Sequence, residues 1–178
     1  MQCFPIILQD ILYTMRYHLN IPYLTDLVSV CVIALFAYPV LRYAETANSE
    51  HLAMLAGMLS AEVVTKVVKR MTAESPMAWL KRPHGATGCD ILCAGADVSG
   101  APGFPSGHVT AVSFFFTYLI CNHTRTPTLL LLLLGCGGIL AVAASRVIKR
   151  CHTPLQVTAG AMWGFVAAVV TRHVSYKL

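Results

Sequence analysis

Between Thr128 and Ala144 the chain runs through 17 residues without a charge or a proline, six consecutive leucines among them. A backbone so apolar is satisfied in hydrocarbon only as a helix or a closed barrel, and the length suits a spanning helix, which needs roughly 20 residues, better than a spanning strand of about 10. Comparable stretches occur at Leu24–Leu41, His51–Val68, Ser106–Cys121 and Thr153–Val170. The expectation is an all-α, polytopic membrane helix bundle of about five spans. Only 12% of the residues are charged, about half the usual share of a soluble domain. The 178 residues suit a single membrane-embedded domain, 1–178, with no room for a separate soluble one.

The apolar residues of Phe4–Leu19 recur at helical spacing, but Gln9, Asp10 and Arg16 interrupt them. This segment reads as an interfacial helix, or a re-entrant one, and lacks the basic start of a cleavable signal peptide. The net charge of +5 comes from basic residues scattered between apolar runs, without the polybasic block of a nucleic-acid binder, so no nucleic-acid partner is expected. Of seven cysteines, Cys31, Cys121 and Cys136 lie in or at the edge of apolar runs and read as small hydrophobes. Cys89 and Cys93 share a loop, lack a second ligand pair for zinc, and are either a disulfide or two free thiols.

Glycines 135, 137, 138, 160 and 164 in the last two spans are small enough for close helix packing in lipid. The second span carries Glu62, Lys66 and Lys69 at i, i+4 and i+7, on one helical face. Either a Glu62–Lys66 pair accounts for two of these charges or Lys66 serves a site, and Lys69, one turn further out, is freer to do so. Residues 70–105 form the long polar connection, and loops of that length are commonly functional. Its end, Gly103-Phe-Pro-Ser-Gly-His108, starts a helix with Ser106 as N-cap, whose free N–H groups favour an anion. Alternation across the spans puts 69–105 and 145–152 on one face, bringing Lys69, Arg82, His108, Arg146 and His152 together as an oxyanion site. Basic residues favour the cytoplasm for that face by eight to four, but by only five to four once Lys69, Arg82 and Arg146 are set aside, so orientation stays open.

Arg82-Pro83, Pro105-Ser-Gly-His108 and Ser145-Arg146 with His152 resemble the three signature motifs of the type 2 phosphatidic acid phosphatase superfamily, membrane lipid phosphatases related to vanadium haloperoxidases. The resemblance covers about residues 60–170. It implies that His152 attacks phosphorus to form a phosphohistidine and that His108 protonates the leaving lipid oxygen. Lys69, Arg82 and Arg146, with the N–H groups of Ser106 and Gly107, would hold the phosphoryl oxygens. Fixed cations take the place of a metal, and no cofactor is implied.

Two positions depart from the family pattern. The first-motif lysine would stand at Ser75; an insertion within Ala73–Leu80 transfers its role to Lys69, with Lys66 and Lys81 as rivals. The aspartate that follows the nucleophilic histidine by four residues is replaced by Gln156, which can orient the ring but brings no charge. Thr153-Pro-Leu-Gln156 also reads as a capping box, in which Gln156 bonds back to Thr153 instead of touching His152. On this reading activity falls roughly 10- to 10⁴-fold below an aspartate-bearing relative, Gln156→Asp restores turnover at unchanged fold, and Asp90 or Asp97 is a candidate substitute charge. The implied function is removal of phosphate from a lipid phosphomonoester or diphosphate at the bilayer, with spans two and three framing the entry. The alternatives are a silent binder of anionic head groups and a lipid phosphotransferase.

Overall fold

The computed structural model describes residues 21–89, 97–122 and 129–177; the expected helix at Phe4–Leu19, Asp90 and Cys93 lie outside the described residues. Five α-helices account for the five apolar stretches: α1 (Ile21–Thr46), α2 (Ser49–Met71), α3 (Gly107–Asn122), α4 (Leu129–Ile148) and α5 (Pro154–Ser175). Among the described residues there is no strand, only two isolated bridges and the short 3-10 turn Ala78–Leu80 in the connection between α2 and α3.

Helix ends follow local sequence. Asn48 caps α2 by accepting from the Glu50 N–H at 2.9 Å. Thr153 caps α5 in the expected capping box with Gln156, with Pro154 in the first turn, where a missing N–H costs nothing. By length and composition α2, α4 and α5 can cross a membrane. Helix α3, with 16 residues, spans about 24 Å at 1.5 Å per residue, short of a hydrocarbon core of about 30 Å. It is the buried centre of the bundle, with Val109–Phe115, Thr117 and Tyr118 all buried.

The tightest packing is α3 against α5, and it is made by small residues and hydroxyl groups. A Cβ on Gly160 would lie 2.5 Å from the Ser106 carbonyl oxygen, and one on Gly164 would meet the Thr110 carbonyl. The backbones therefore approach as only glycine allows. Across this seam Thr110 Oγ1 donates to the Gly160 carbonyl at 3.2 Å and Ser113 Oγ to the Ala161 carbonyl at 2.7 Å. Gly135 and Gly138 of α4 lie against the Phe116 side chain, but a Cβ on Gly137 would meet nothing within 4 Å among the described residues, so its expected packing role is not found there.

The opposite end of the bundle is pinned by Glu50, which accepts from Asn122 Nδ2 at 2.9 Å and pairs with Arg172 at 3.5 Å. Helix α5 also donates from Trp163 Nε1 to the Ala61 carbonyl of α2 at 3.2 Å. Leucines 129, 130, 133, 134 and 140 point outward, as residues facing lipid tails do.

Gly160→Ala is expected to destabilise the protein by about 1–3 kcal/mol, because the methyl meets rigid backbone. Gly137→Ala is expected to be neutral. Melting temperatures of the two variants in one detergent check the contrast.

Candidate active site

The connection between α2 and α3 is held in shape by its own backbone. Arg82 N–H donates to the Ala101 carbonyl at 2.8 Å, Gly103 N–H to the Leu80 carbonyl at 2.8 Å, and Lys81 bridges Pro102. These pairings lay the Arg82 limb beside the limb that becomes α3, so the Arg-Pro and Pro-Ser-Gly-His motifs arrive side by side. The Phe104–Pro105 peptide bond is cis.

Beneath that pairing lies Gln156, with no exposed surface. Its Nε2 donates to the carbonyls of Trp79 at 2.9 Å and Lys81 at 2.8 Å, and its Oε1 accepts from Thr153 N–H at 3.2 Å. These bonds fix which end of the amide is oxygen. His152 Nδ1, 3.1 Å from the same Oε1, is therefore the protonated ring nitrogen, and Nε2 carries the lone pair. The two expected uses of Gln156, orienting the histidine or closing the capping box, are not alternatives, since one oxygen serves both. A Cβ on Gly103 would lie 2.6 Å from this oxygen, so that position has to be glycine for the amide to fit.

A cavity of about 260 Å³ opens beside His152, lined by Lys69, Arg82, Gly107, His108 and Glu62, with Val32, Ile33, Phe36 and Ala111 on the apolar side. Several times the roughly 30 Å³ of a water, it has room for a phosphoryl group. Burial above all, then the charges of Lys69 and Arg82, push the His152 imidazole well below its ordinary 6.5; the Gln156 bond opposes this and His108 adds to it. A neutral ring with a free lone pair, facing fixed cations, is suited to nucleophilic attack on an oxyanion. Among the described residues no group of three or more His, Cys, Asp or Glu is arranged to hold a metal ion.

Of the three candidate lysines, Lys69 lines the cavity. Lys66 faces outward, 3.8 Å from Glu62, and Lys81 Nζ turns back to the Ala73 carbonyl. Two of the expected phosphate-holding residues, Arg146 and Ser106, are not among the described residues that line this cavity. Arg146 is completely buried and off the cavity wall; its Nη1 donates to the Cys89 carbonyl at 3.1 Å, and its own carbonyl accepts from the N–H groups of Cys151 and His152. It thus braces the turn that carries His152. Ser106 is also fully buried, its N–H donates to the Gln156 carbonyl at 3.0 Å, and among the described residues its hydroxyl makes no hydrogen bond. Its side chain, enclosed by the close approach of α5, makes no cap hydrogen bond among the described residues; Gly107 alone of that pair lines the cavity.

Asp97 supplies no charge here. It accepts from Ser99 N–H at 2.8 Å in an exposed turn, and the Ser99 side chain first, then that N–H, lowers its pKa. Cys89 is disulfide-bonded to Cys151, 62 residues away, and not to Cys93, because the connection folds over the α4–α5 turn. The bridge ends next to His152. Sequence reasoning also missed the α1 wall, which carries no motif, and the position of Glu62, which spacing had paired with Lys66.

The environment of Gln156 revises the expectation for Gln156→Asp. A shorter, acceptor-only carboxylate leaves the Trp79 and Lys81 carbonyls without their donor. The variant is expected to lose about 1–3 kcal/mol, read as a lower midpoint in thermal unfolding; unchanged stability would show that the amide does not hold the connection.

Comparison with curated proteins and with solved structures finds no match. The family model described as the PAP2 superfamily matches residues 50–178, a span that runs from the second residue of α2 through α5 and holds every charged or histidine residue of the cavity. The chain is therefore a membrane protein of the PAP2 superfamily, whose members are phosphatases.

Proposed function

We propose that this chain is a multi-pass integral membrane lipid phosphatase, acting as one membrane-embedded unit over residues 1–178. It releases phosphate from a lipid phosphomonoester or diphosphate. The observation that carries this reading is the cavity itself: His152 with its Nδ1 bonded to Gln156, which leaves Nε2 as the nitrogen with the lone pair, fixed cations beside it, and an apolar wall from α1 opposite. An amphiphile meets those demands, with its phosphate at Lys69 and Arg82 and its tail along Val32, Ile33 and Phe36. Entry is framed by α1 as well as α2 and α3.

His152 Nε2 forms a bond to phosphorus as the bond to the lipid oxygen breaks, and His108 gives that oxygen its proton. Water then attacks the phosphohistidine, passes a proton to His108 and returns His152. Lys69, Arg82 and the Gly107 N–H spread the phosphoryl charge, while Arg146 acts through the backbone of the His152 turn. A second reading, a head-group binder without turnover, is favoured by the neutrality of Gln156, which offers no charge to a developing imidazolium.

The disulfide bears on orientation. Such bonds persist in oxidising compartments, which favours the non-cytosolic side for the site face, against the count of basic residues. On this reading Lys69 and Arg82 serve the cavity, which narrows that count to six against four.

Purified protein in detergent is expected to release phosphate from lipid phosphates with chelator present, with His152→Ala lowering the rate by about 10³-fold or more. Because the His152 pKa is depressed, its neutral form persists on acidification, and the acid limb of kcat/KM is expected below pH 6.5. Folded protein that binds phosphatidate yet releases nothing would select the second reading. For orientation, cells lysed into denaturant with an alkylating reagent are expected to yield Cys89 and Cys151 unmodified until reductant is added; labelling beforehand would remove the case for an oxidising compartment.

A further inference from the structure

Among the described residues lining the cavity, Glu62 is the one acidic side chain. Its Oε2 and Oε1 lie 3.2 and 3.5 Å from where a Gly107 Cβ would stand, and Gly107 is the first residue of α3. The carboxylate thus rests against a helix N-terminus, the place on the cavity wall that most favours negative charge. Its pair with Lys66 does not explain this. At 3.8 Å, with Lys66 66% exposed, that pair is long and turned toward the outer surface of α2, away from the contact with Gly107.

A charge inside a spanning helix is costly unless the site uses it. Glu62 is two turns before Lys69 on α2 and faces Lys69 of its own helix, Arg82 of the connection, His108 of α3 and His152 of the α4–α5 turn; the α1 side chains opposite are apolar. Its charge opposes the cations from within the same cavity, and a phosphoryl group entering must share the N-terminus of α3 with it.

We propose that Glu62 is a specificity-determining residue of this site, a built-in anion that weakens the hold on free phosphate and so favours phosphate attached to an apolar tail. The proposal rests on the reading of the cavity as a phosphate site. An ester retains affinity through its tail on the α1 wall, whereas inorganic phosphate has only the charges, which Glu62 partly cancels. The released product then leaves instead of occupying the cations.

The test uses inorganic phosphate as the probe, with binding to the purified full chain measured by calorimetry. Removing the charge is expected to tighten binding roughly 10-fold, the scale of one unit charge acting across a partly exposed site. Glu62→Gln, which keeps the volume against Gly107, and Glu62→Ala are both expected to show this, while Glu62→Asp stays near the parent affinity. A side chain that only packs would leave binding unchanged or weaken it. Unchanged or weaker binding in both neutral variants, with Arg82→Ala losing phosphate, overturns the role of Glu62 and leaves the phosphate site standing. Phosphate binding by none of these proteins overturns the site and the proposal together. Failure of both neutral variants to fold, with Glu62→Asp folded, assigns Glu62 to bundle stability and also overturns it.

Discussion

The amide of Gln156 is the joint on which the candidate site depends. One side chain, wholly buried, donates to two carbonyls of the α2–α3 connection and accepts from both the first turn of α5 and the ring of His152. A carboxylate could orient the ring, but it could not donate to Trp79 and Lys81. The residue that departs from the family motif is therefore the one that locks the connection over the bundle, with the loss of a negative charge beside the histidine as the physical cost. Glycine at 103 is required in the same place, since any side chain would displace the amide oxygen.

Around this joint the bundle supplies rigidity from two directions. Between α3 and α5 the glycines at 160 and 164 let hydroxyl groups bond across the seam, which holds the His108 helix against the helix that begins just after His152. From above, the Cys89–Cys151 disulfide and the Arg146–Cys89 hydrogen bond tie the connection to the α4–α5 turn. Arg146, completely buried, reaches from the end of α4 to the Cys89 carbonyl, while its own carbonyl accepts from the N–H groups of Cys151 and His152.

The five helices were legible in sequence because each is a long apolar run, and hydrocarbon leaves such a run one way to satisfy its backbone. The capping box at Thr153 was equally plain, since its partners are three residues apart. Positions that depend on how segments meet were not. Cys89 finds Cys151 across 62 residues, Asp97 is spent on a local turn, and the N–H of Ser106 is taken by a carbonyl from α5. Lys69 was reached by excluding Ser75, and only the cavity separates it from Lys66, one turn away on the same helix.

Sequence by itself determined that the chain is an all-helical membrane protein and that two histidines and several cations gather at one end, because hydropathy and short-range capping act within a segment. Tertiary structure alone decided which of those groups face a common cavity, that Glu62 stands among them, and that α1 provides its apolar wall. Such choices turn on side-chain direction and backbone approach within a few ångströms between distant segments, which no spacing along one segment encodes.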